Sequence, residues 1–600
     1  MLSRREKQLL TSTLLVIVVT LIFLSWQNYQ RFFITTPAIG GRYTEALIGK
    51  PRFINPWLVQ TNVDRDLTEL IYAGLMRREK DLTVVPELAE AYTVSEDEKT
   101  YTFVLRPDLK WSDGQPLTMA DIIFTFEKIT DPNLKSPLEI SWRGVEIKKI
   151  DEQTLELILA EPYAPFLNLL TVGILPRHVW GELTADEIKN SPFNTRPVSA
   201  GAWQVKETGL NPQGGVSDFT LIPNNYYQRA KPFLTELNFK LYGTIEEAIK
   251  AVKRKEVDGL SHLPKEYENV FADRKHLRHL TLNIPRYTAL FFNQNNQPAL
   301  KNLVLRQALS LSIDKNFILK EALDNQGAAI NGSILPGSIG YYPELATTPF
   351  DLVKASELLD QAGWQPITTD TYLALSKIAD ATADSLGKAV EGATADLSDK
   401  DKADATAESS DEAILISEPL LPYYRLAKDQ ILTLTITTID QQPLIETAEI
   451  IKKFWEAIGI KVNLQIVDRN VLQKEVLRTR DYEILLFSVL VGADTDPFAF
   501  WHSSQVRYPG VNLAMLENKE VDGLLETARQ TSQIETRVEK YRRFQEIVAA
   551  ELPAIFLYSP TYLYVVDDKL MGLELTNIIL PSDRFLSVNE WYRRARWQFK

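Results

Sequence analysis

The side chains that could do chemistry in this chain are few and poorly grouped. Its five histidines, His178, His262, His276, His279 and His502, are scattered, and no H-E-x-x-H sets two of them on one helical face. His276 and His279 could share a helical face, but no third ligand follows at metal-site spacing. Cysteine is absent, which removes thiolate nucleophiles, disulfides and Cys-based metal sites. Ser338 sits in PGSIG, but Pro336 stands where a nucleophile elbow needs its first glycine. No G-x-x-x-x-G-K-[ST] occurs, so the chain has no P-loop for ATP hydrolysis. Asp494-Thr495-Asp496 is too short to be a calcium loop. Paired carboxylates need no motif, but nothing positive points to catalysis. The expectation is a protein that is not an enzyme and uses no cofactor and no metal.

Composition points to binding. The chain has 600 residues, 45% of them hydrophobic, enough for more than one buried core. Its 11 Trp and 23 Tyr fit either ordinary packing or a cleft that grips apolar groups of varied shape. A net charge of −13 argues against nucleic acid as a partner. Much of that charge is local, since residues 370–413 carry eleven acidic residues against four lysines.

The elements that must position a site are α/β in character. YTFVLRP alternates Tyr101, Phe103 and Leu105 against Thr102 and Val104, which predicts a strand. Thr118-Met119-Ala120-Asp121 reads as a capping-box variant opening a helix with Ile122, Ile123, Phe126 and Ile129 on one side. Asp151–Leu159 and Leu290–Asn293 read as strands, and Glu246–Lys255 and Lys301–Ile313 as helices. Strands at Leu432–Ile439, Lys461–Val467 and Tyr482–Val489 enclose a helix, Leu444–Ile458, stopped by Gly459. At the N-terminus Arg4, Arg5 and Lys7 precede an apolar run, Leu9 to Trp26, just long enough to span a bilayer as a helix. Positive charge before the span predicts the bulk of the chain outside. No clean small-x-small cleavage site follows, so a retained anchor is preferred to a cleaved signal peptide. Residues 370–413 hold eleven alanines among Asp, Lys, Ser and Thr. They read as an insertion, partly amphipathic and partly too polar to pack.

Several blocks occur in a telling order: KTYTFVLRPDLKWSDGQPLTMADIIFTFEK, RPVSAGAWQV, LIPNNYYQRAKPFLTELNFKLY, AVKRKEVDGL, FFNQNNQPALKNLVLRQALSLSIDK, ILPGSIGYYP, DLVKASELLDQAGW, YPGVNLAMLENKEVDGLLETAR and ELPAIFLYSPTYLYVV. Together they resemble the bacterial extracellular solute-binding proteins of family 5, the oligopeptide, dipeptide and nickel capture components of ABC importers. The likeness runs from about residue 44 onward, with Asn293, Pro298, Arg306, Ala308 and Asp314 at the family's places. Trp203 stands where Tyr is commoner. The acidic insertion and the N-terminal span are departures from the family pattern.

The resemblance implies a two-lobed α/β protein of the periplasmic-binding-protein type (type II, Venus flytrap), and the N-terminal apolar run adds a transmembrane helix in front of it. The expected organisation is a cytoplasmic stub and anchor over 1–30, a tether over 31–41, lobe I over 42–288 plus 554–600, and lobe II over 289–553 carrying the insertion 370–413. The implied function is capture of oligopeptides or dipeptides and delivery to an ABC permease, by a single-pass membrane protein, monomeric, with its bulk extracellular or periplasmic. Peptide-binding members hold the ligand as an added strand. Here Val489, Leu490, Val491, Gly492 and Ala493 would offer backbone pairing. Asp494 aligns with the family's amine-binding Asp. Pro497 comes one residue earlier than in the family's Ala-Asp-x-x-x-Pro loop, so Asp496 is the second candidate, and shaping the turn before Pro497 is a competing role for Asp494. Asn62 falls in a loop that borders the cleft in relatives, Trp501 is a candidate pocket wall, and Ala200 and Gly201 would permit close backbone approach. Arg306 reads as a residue that ties the fold. Two alternatives stay open: another solute, such as an oligosaccharide or a nickel chelate, and a non-transport envelope scaffold or sensor.

Overall fold

The computed structural model describes residues 13–20, 33–368, 371–372, 423–492 and 496–599. Most of the acidic insertion and both ends of the expected anchor lie outside them. Residues 13–20 are helical and carry exposed apolar side chains from Leu14 to Val19. Among the described residues, no helix is long and apolar enough to cross a membrane. The chain divides into two compact units, Met1–Ile284 with Tyr562–Lys600, and Pro285–Thr561.

In unit 1 the strand Arg42–Ile48 runs parallel to Glu236–Tyr242 on one side and to Gly259–Ser261 on the other. Its five central residues are all buried, as expected of a strand covered on both faces. Antiparallel strands Val216–Pro223 and Trp203–Leu210 extend this sheet. A second sheet joins Ala89–Val94, Thr100–Leu105, Thr154–Leu159 and Val145–Lys149, all antiparallel. Tyr101, Phe103 and Leu105 face its core while Val104 is exposed, the alternation expected from sequence. The helix Met119–Ile129 opens with the expected capping box, Thr118 N–H donating to Asp121 Oδ2 at 2.8 Å. Ile122, Phe126 and Ile129 are buried, whereas Ile123 is half-buried, since 3.6-residue periodicity turns it toward the flank. Residues Phe33–Ala38, within the expected tether, form a strand antiparallel to Arg594–Phe599.

Unit 1 is tied together by a fully buried ion cluster. Arg584 donates from Nε to Glu45 Oε1 at 2.8 Å, and from Nη1 and Nη2 to the two Asp66 oxygens at 2.8 and 2.7 Å. The hydroxyls of Tyr564 and Tyr43 donate to Glu45 Oε2 at 2.7 and 3.0 Å. Burial holds the Glu45 carboxyl above its ordinary range, even against the Arg584 charge.

In unit 2 the strand Thr433–Ile439, the helix Leu444–Ala457 and the parallel strand Lys461–Val467 form the expected strand–helix–strand. Gly459 follows the helix with φ 88, a left-handed conformation that glycine adopts without a Cβ penalty. Strand Arg286–Phe292 pairs antiparallel with Ile484–Leu490 and with the stretch after Ala554. The expected helix from Lys301 is broken: a 3-10 turn, Pro298–Lys301, precedes the α-helix Leu303–Leu311. The break is capped by Asn302, whose side chain accepts from Val304 N–H. Arg306 donates to the carbonyls of Glu551 and Leu552 at the end of the helix Ile534–Glu551, the tying role expected of it.

Two predictions follow from these buried charges. Arg584→Met should destabilise unit 1 by about 3–5 kcal/mol in urea unfolding, because two buried carboxylates lose their counter-charge; a loss below about 1 kcal/mol would show that the cluster carries little. Lys315, donating to Ile330 O at 2.7 Å, has its pKa lowered by burial to about 8. The folded chain gives up this proton near pH 8 and the unfolded chain only near the ordinary lysine value. Stability should therefore rise with pH between about 8 and 9.5, and the rise should flatten in Lys315→Met.

Candidate functional site

The strand Ile484–Leu490 is the centre of the candidate site. On one edge it is fully paired with Arg286–Phe292, from Phe292↔Ile484 to Arg286↔Leu490, and Val491 N–H extends the ladder to Pro285 O at 2.8 Å. On its other edge Thr433–Ile439 pairs only at Ile436↔Ile484 and Thr437↔Leu485. Thr438 Oγ1 then donates to Leu486 O at 3.0 Å, and strand pairing on that edge stops. From Phe487 to Leu490 no described strand occupies that edge. Backbone groups of an unpaired strand edge are a template for another extended chain. Phe487, Ser488, Leu490, Val491 and Gly492 keep accessible surface, while Val489 is buried. Gly492 has φ 90, and a Cβ there would meet no described residue within 4 Å. Below this strand Ser488 and Thr288 share a hydroxyl–hydroxyl hydrogen bond of 2.7 Å.

The other expected site residues fall in different settings. Ala493 and Asp494 lie outside the described residues. Asp496 is engaged: its Oδ1 accepts from Phe498 N–H at 3.0 Å and its Oδ2 lies 3.2 Å from Arg529 Nε. Arg529 also lies over the Phe498 ring, 4.3 Å from its centroid. Trp501 has no accessible surface; its indole packs against Phe291, Phe544 and Phe556, which places it in the core of unit 2 rather than on an open pocket wall. In unit 1 Asn62 is exposed at the first turn of the helix Asn62–Ile71. Ala200 is buried. Gly201 donates to Ile71 O at 2.9 Å, and a Cβ on it would come within 2.4 Å of that oxygen. The close approach that Gly201 permits is thus to the end of a helix.

The sequence reading missed Phe487 and Ser488. It placed the pairing segment from Val489 onward, yet the edge opens two residues earlier. The strand itself is visible as an apolar run, but where its neighbour stops is not. Histidine chemistry takes a different form from the one considered: His279 lies in the strand Leu277–Asn283, not on a helix. His502 stacks on Phe498 and contacts Ser504 Oγ at 2.8 Å and Glu526 Oε1 at 3.2 Å. Among the described residues, no group of three His, Cys, Asp or Glu side chains could hold a metal ion.

The family model described as bacterial extracellular solute-binding proteins, family 5 Middle, matches residues 83–507. The chain belongs to this family. The oligopeptide-binding protein AppA of Bacillus subtilis is 22% identical over 567 residues, covering 93% of this chain and 92% of its own. The structure of AppA from Bacillus subtilis in complex with a nonapeptide aligns with a TM-score of 0.67 at 20% identity, over 93% of this chain and 99% of that one. The probable D,D-dipeptide-binding periplasmic protein DdpA of Escherichia coli is 23% identical over 545 residues, 88% of this chain and 90% of its own. The ABC transporter substrate-binding protein CtaP of Listeria monocytogenes aligns with a TM-score of 0.72 at 22% identity, over 92% and 99% of the two chains. As in the family, the chain is an extracellular or periplasmic solute-binding protein.

The core position of Trp501 is testable. Trp501→Ala should lower the stability of unit 2 by about 3–5 kcal/mol through lost packing and a residual cavity. A variant as stable as the parent but impaired in ligand binding would return Trp501 to a pocket wall.

Proposed function

We propose that this chain captures short peptides and delivers them to the permease of an ABC importer. The observation that carries this is the free edge at Phe487–Leu490, beside which a Cβ at Gly492 would meet no described residue within 4 Å. A ligand added there as an extended strand gains main-chain hydrogen bonds that are blind to its sequence, while side chains of alternate residues point to either face. Two relatives carry names that describe oligopeptide or D,D-dipeptide binding, and one relative was solved with a nonapeptide. Asp494, four residues beyond the strand, is the carboxylate assigned to the peptide's α-ammonium.

The same proposal includes a single-pass anchor. It is supported by the apolar run Leu9–Trp26 behind Arg4, Arg5 and Lys7, and by the exposed apolar helix of residues 13–20. The protein would then work as a monomer held at the outer face of the membrane.

The test is native mass spectrometry of the purified chain, followed by calorimetry with a peptide identified in it. A ladder of short peptides should be released, and Asp494→Ala should weaken binding by about tenfold or more. Unchanged affinity would overturn the assignment of Asp494. A single non-peptide mass would overturn peptide capture.

A further inference from the structure

Unit 1 contains a cavity of about 390 Å³, a size typical of small-ligand pockets. It is formed within unit 1 alone, by the helix Asn62–Ile71, the loops around Leu169 and Gly201, and the C-terminal turn that carries Phe585. Trp142, Leu70, Val172 and Phe585 give it an apolar lining.

Five charged side chains also line it, Arg65, Glu69, Arg77, Arg78 and Glu87, and three of them are held in ion pairs. Arg78 pairs with the buried Asp583 at 3.0 Å. Arg77 pairs with Glu79 and lies 2.7 Å from Glu87, and Glu87 is further held by Arg229 at 3.0 Å and the Tyr227 hydroxyl at 2.9 Å. Two charges are left over. Neither the Arg65 guanidinium nor the Glu69 carboxylate makes a hydrogen bond or ion pair with any described residue. They stand four residues apart on one helix, with arginine first, the weaker order for an intrahelical pair. Both keep accessible surface. Between them in sequence, Thr68 is only 9% exposed, lines the same cavity, and its Oγ1 has no hydrogen-bond partner among the described residues.

A polar hydroxyl left unpaired in a buried wall is costly. Loss of solvation holds the Glu69 carboxyl above the usual carboxylate range, although Arg78 and Arg65 act the other way. A simple cation would gain Glu69 but meet Arg65 and Arg78, and a simple anion would meet Glu69. A ligand carrying both charges satisfies both.

We propose that this cavity binds a free apolar α-amino acid, with its ammonium on Glu69, its carboxylate on Arg65 and its side chain against the apolar wall. The Thr68 hydroxyl donates to the ligand carboxylate. The pocket is distinct from the strand edge of unit 2 and does not depend on peptide capture there.

The test is isothermal titration of L-phenylalanine into the full-length protein. Phenethylamine, which lacks the carboxylate, and 3-phenylpropionate, which lacks the ammonium, serve as one-charge analogues. L-Phenylalanine should bind, and each analogue should bind about tenfold more weakly or worse. Arg65→Gln and Glu69→Gln should each weaken L-phenylalanine by about tenfold with thermal unfolding unchanged, since neither side chain holds a structural bond. Asp494→Ala should leave it unaffected. The proposal is overturned by no binding up to about 10 mM, by analogues that match the amino acid, by indifference to Arg65 and Glu69, or by loss of binding in Asp494→Ala. The analogue series needs no variant, so a misfolded variant does not shield the proposal.

Discussion

The buried Arg584 cluster is the constraint on which unit 1 depends. Removing three ions from water is expensive, and the cost is met only when geometry is close and every remaining donor and acceptor is matched. Here the guanidinium fork meets Asp66 through two parallel bonds and Glu45 through a third, and two tyrosine hydroxyls complete Glu45. A lysine could not replace this fork, since its ammonium is a point charge without planar geometry. The partners come from the strand Arg42–Ile48, the helix Asn62–Ile71, the strand around Tyr564 and the turn at Arg584. Two segments near the start of the chain and two near its end are thereby held to one arrangement. The helix that carries Asp66 is also the one that presents Arg65, Thr68 and Glu69 to the cavity.

Unit 2 uses buried arginine in another way. Arg306 and Arg480 direct their guanidinium groups mainly at backbone carbonyls, and Arg425 divides its bonds between the carbonyls of Ile458 and Trp364 and the side chains of Asp360 and Ser356. Arg480 reaches Val506 O at 3.0 Å and Gly510 O at 2.6 Å, and the Tyr482 hydroxyl donates to Leu513 O at 2.6 Å just before the strand begins. These bonds satisfy carbonyls that would otherwise be orphaned. They also fix the root of the strand Ile484–Leu490. In the proposed binding mode, an edge held rigid before the ligand arrives would lose less conformational freedom on binding, which is how a main-chain contact with no sequence preference can gain affinity.

Several buried arginines described in the two units tie distant segments together, and the proposed peptide site rests on backbone groups at a strand edge. Main-chain recognition asks little of side-chain identity, so a segment proposed to perform it looks in sequence like any apolar strand.

The sequence by itself determined the periodic elements. The alternation of Tyr101, Phe103 and Leu105, the box Thr118–Asp121 and the strand–helix–strand ending at Gly459 are local patterns, set by the 2.0 and 3.6 residue repeats and by capping chemistry. The ordered family blocks were equally legible. Tertiary structure alone decided which edges stay open and which charges stay unpaired. The free edge at Phe487 depends on where Thr433–Ile439 stops following its neighbour. Trp501 became core because three phenylalanines from distant segments converge on it. Gly201 met a helix end 130 residues away in the chain. Arg65 and Glu69 make no hydrogen bond or ion pair with a described residue, while Arg77 meets Glu87 and Arg78 meets Asp583. These are long-range outcomes of packing and charge matching, and no local pattern encodes them.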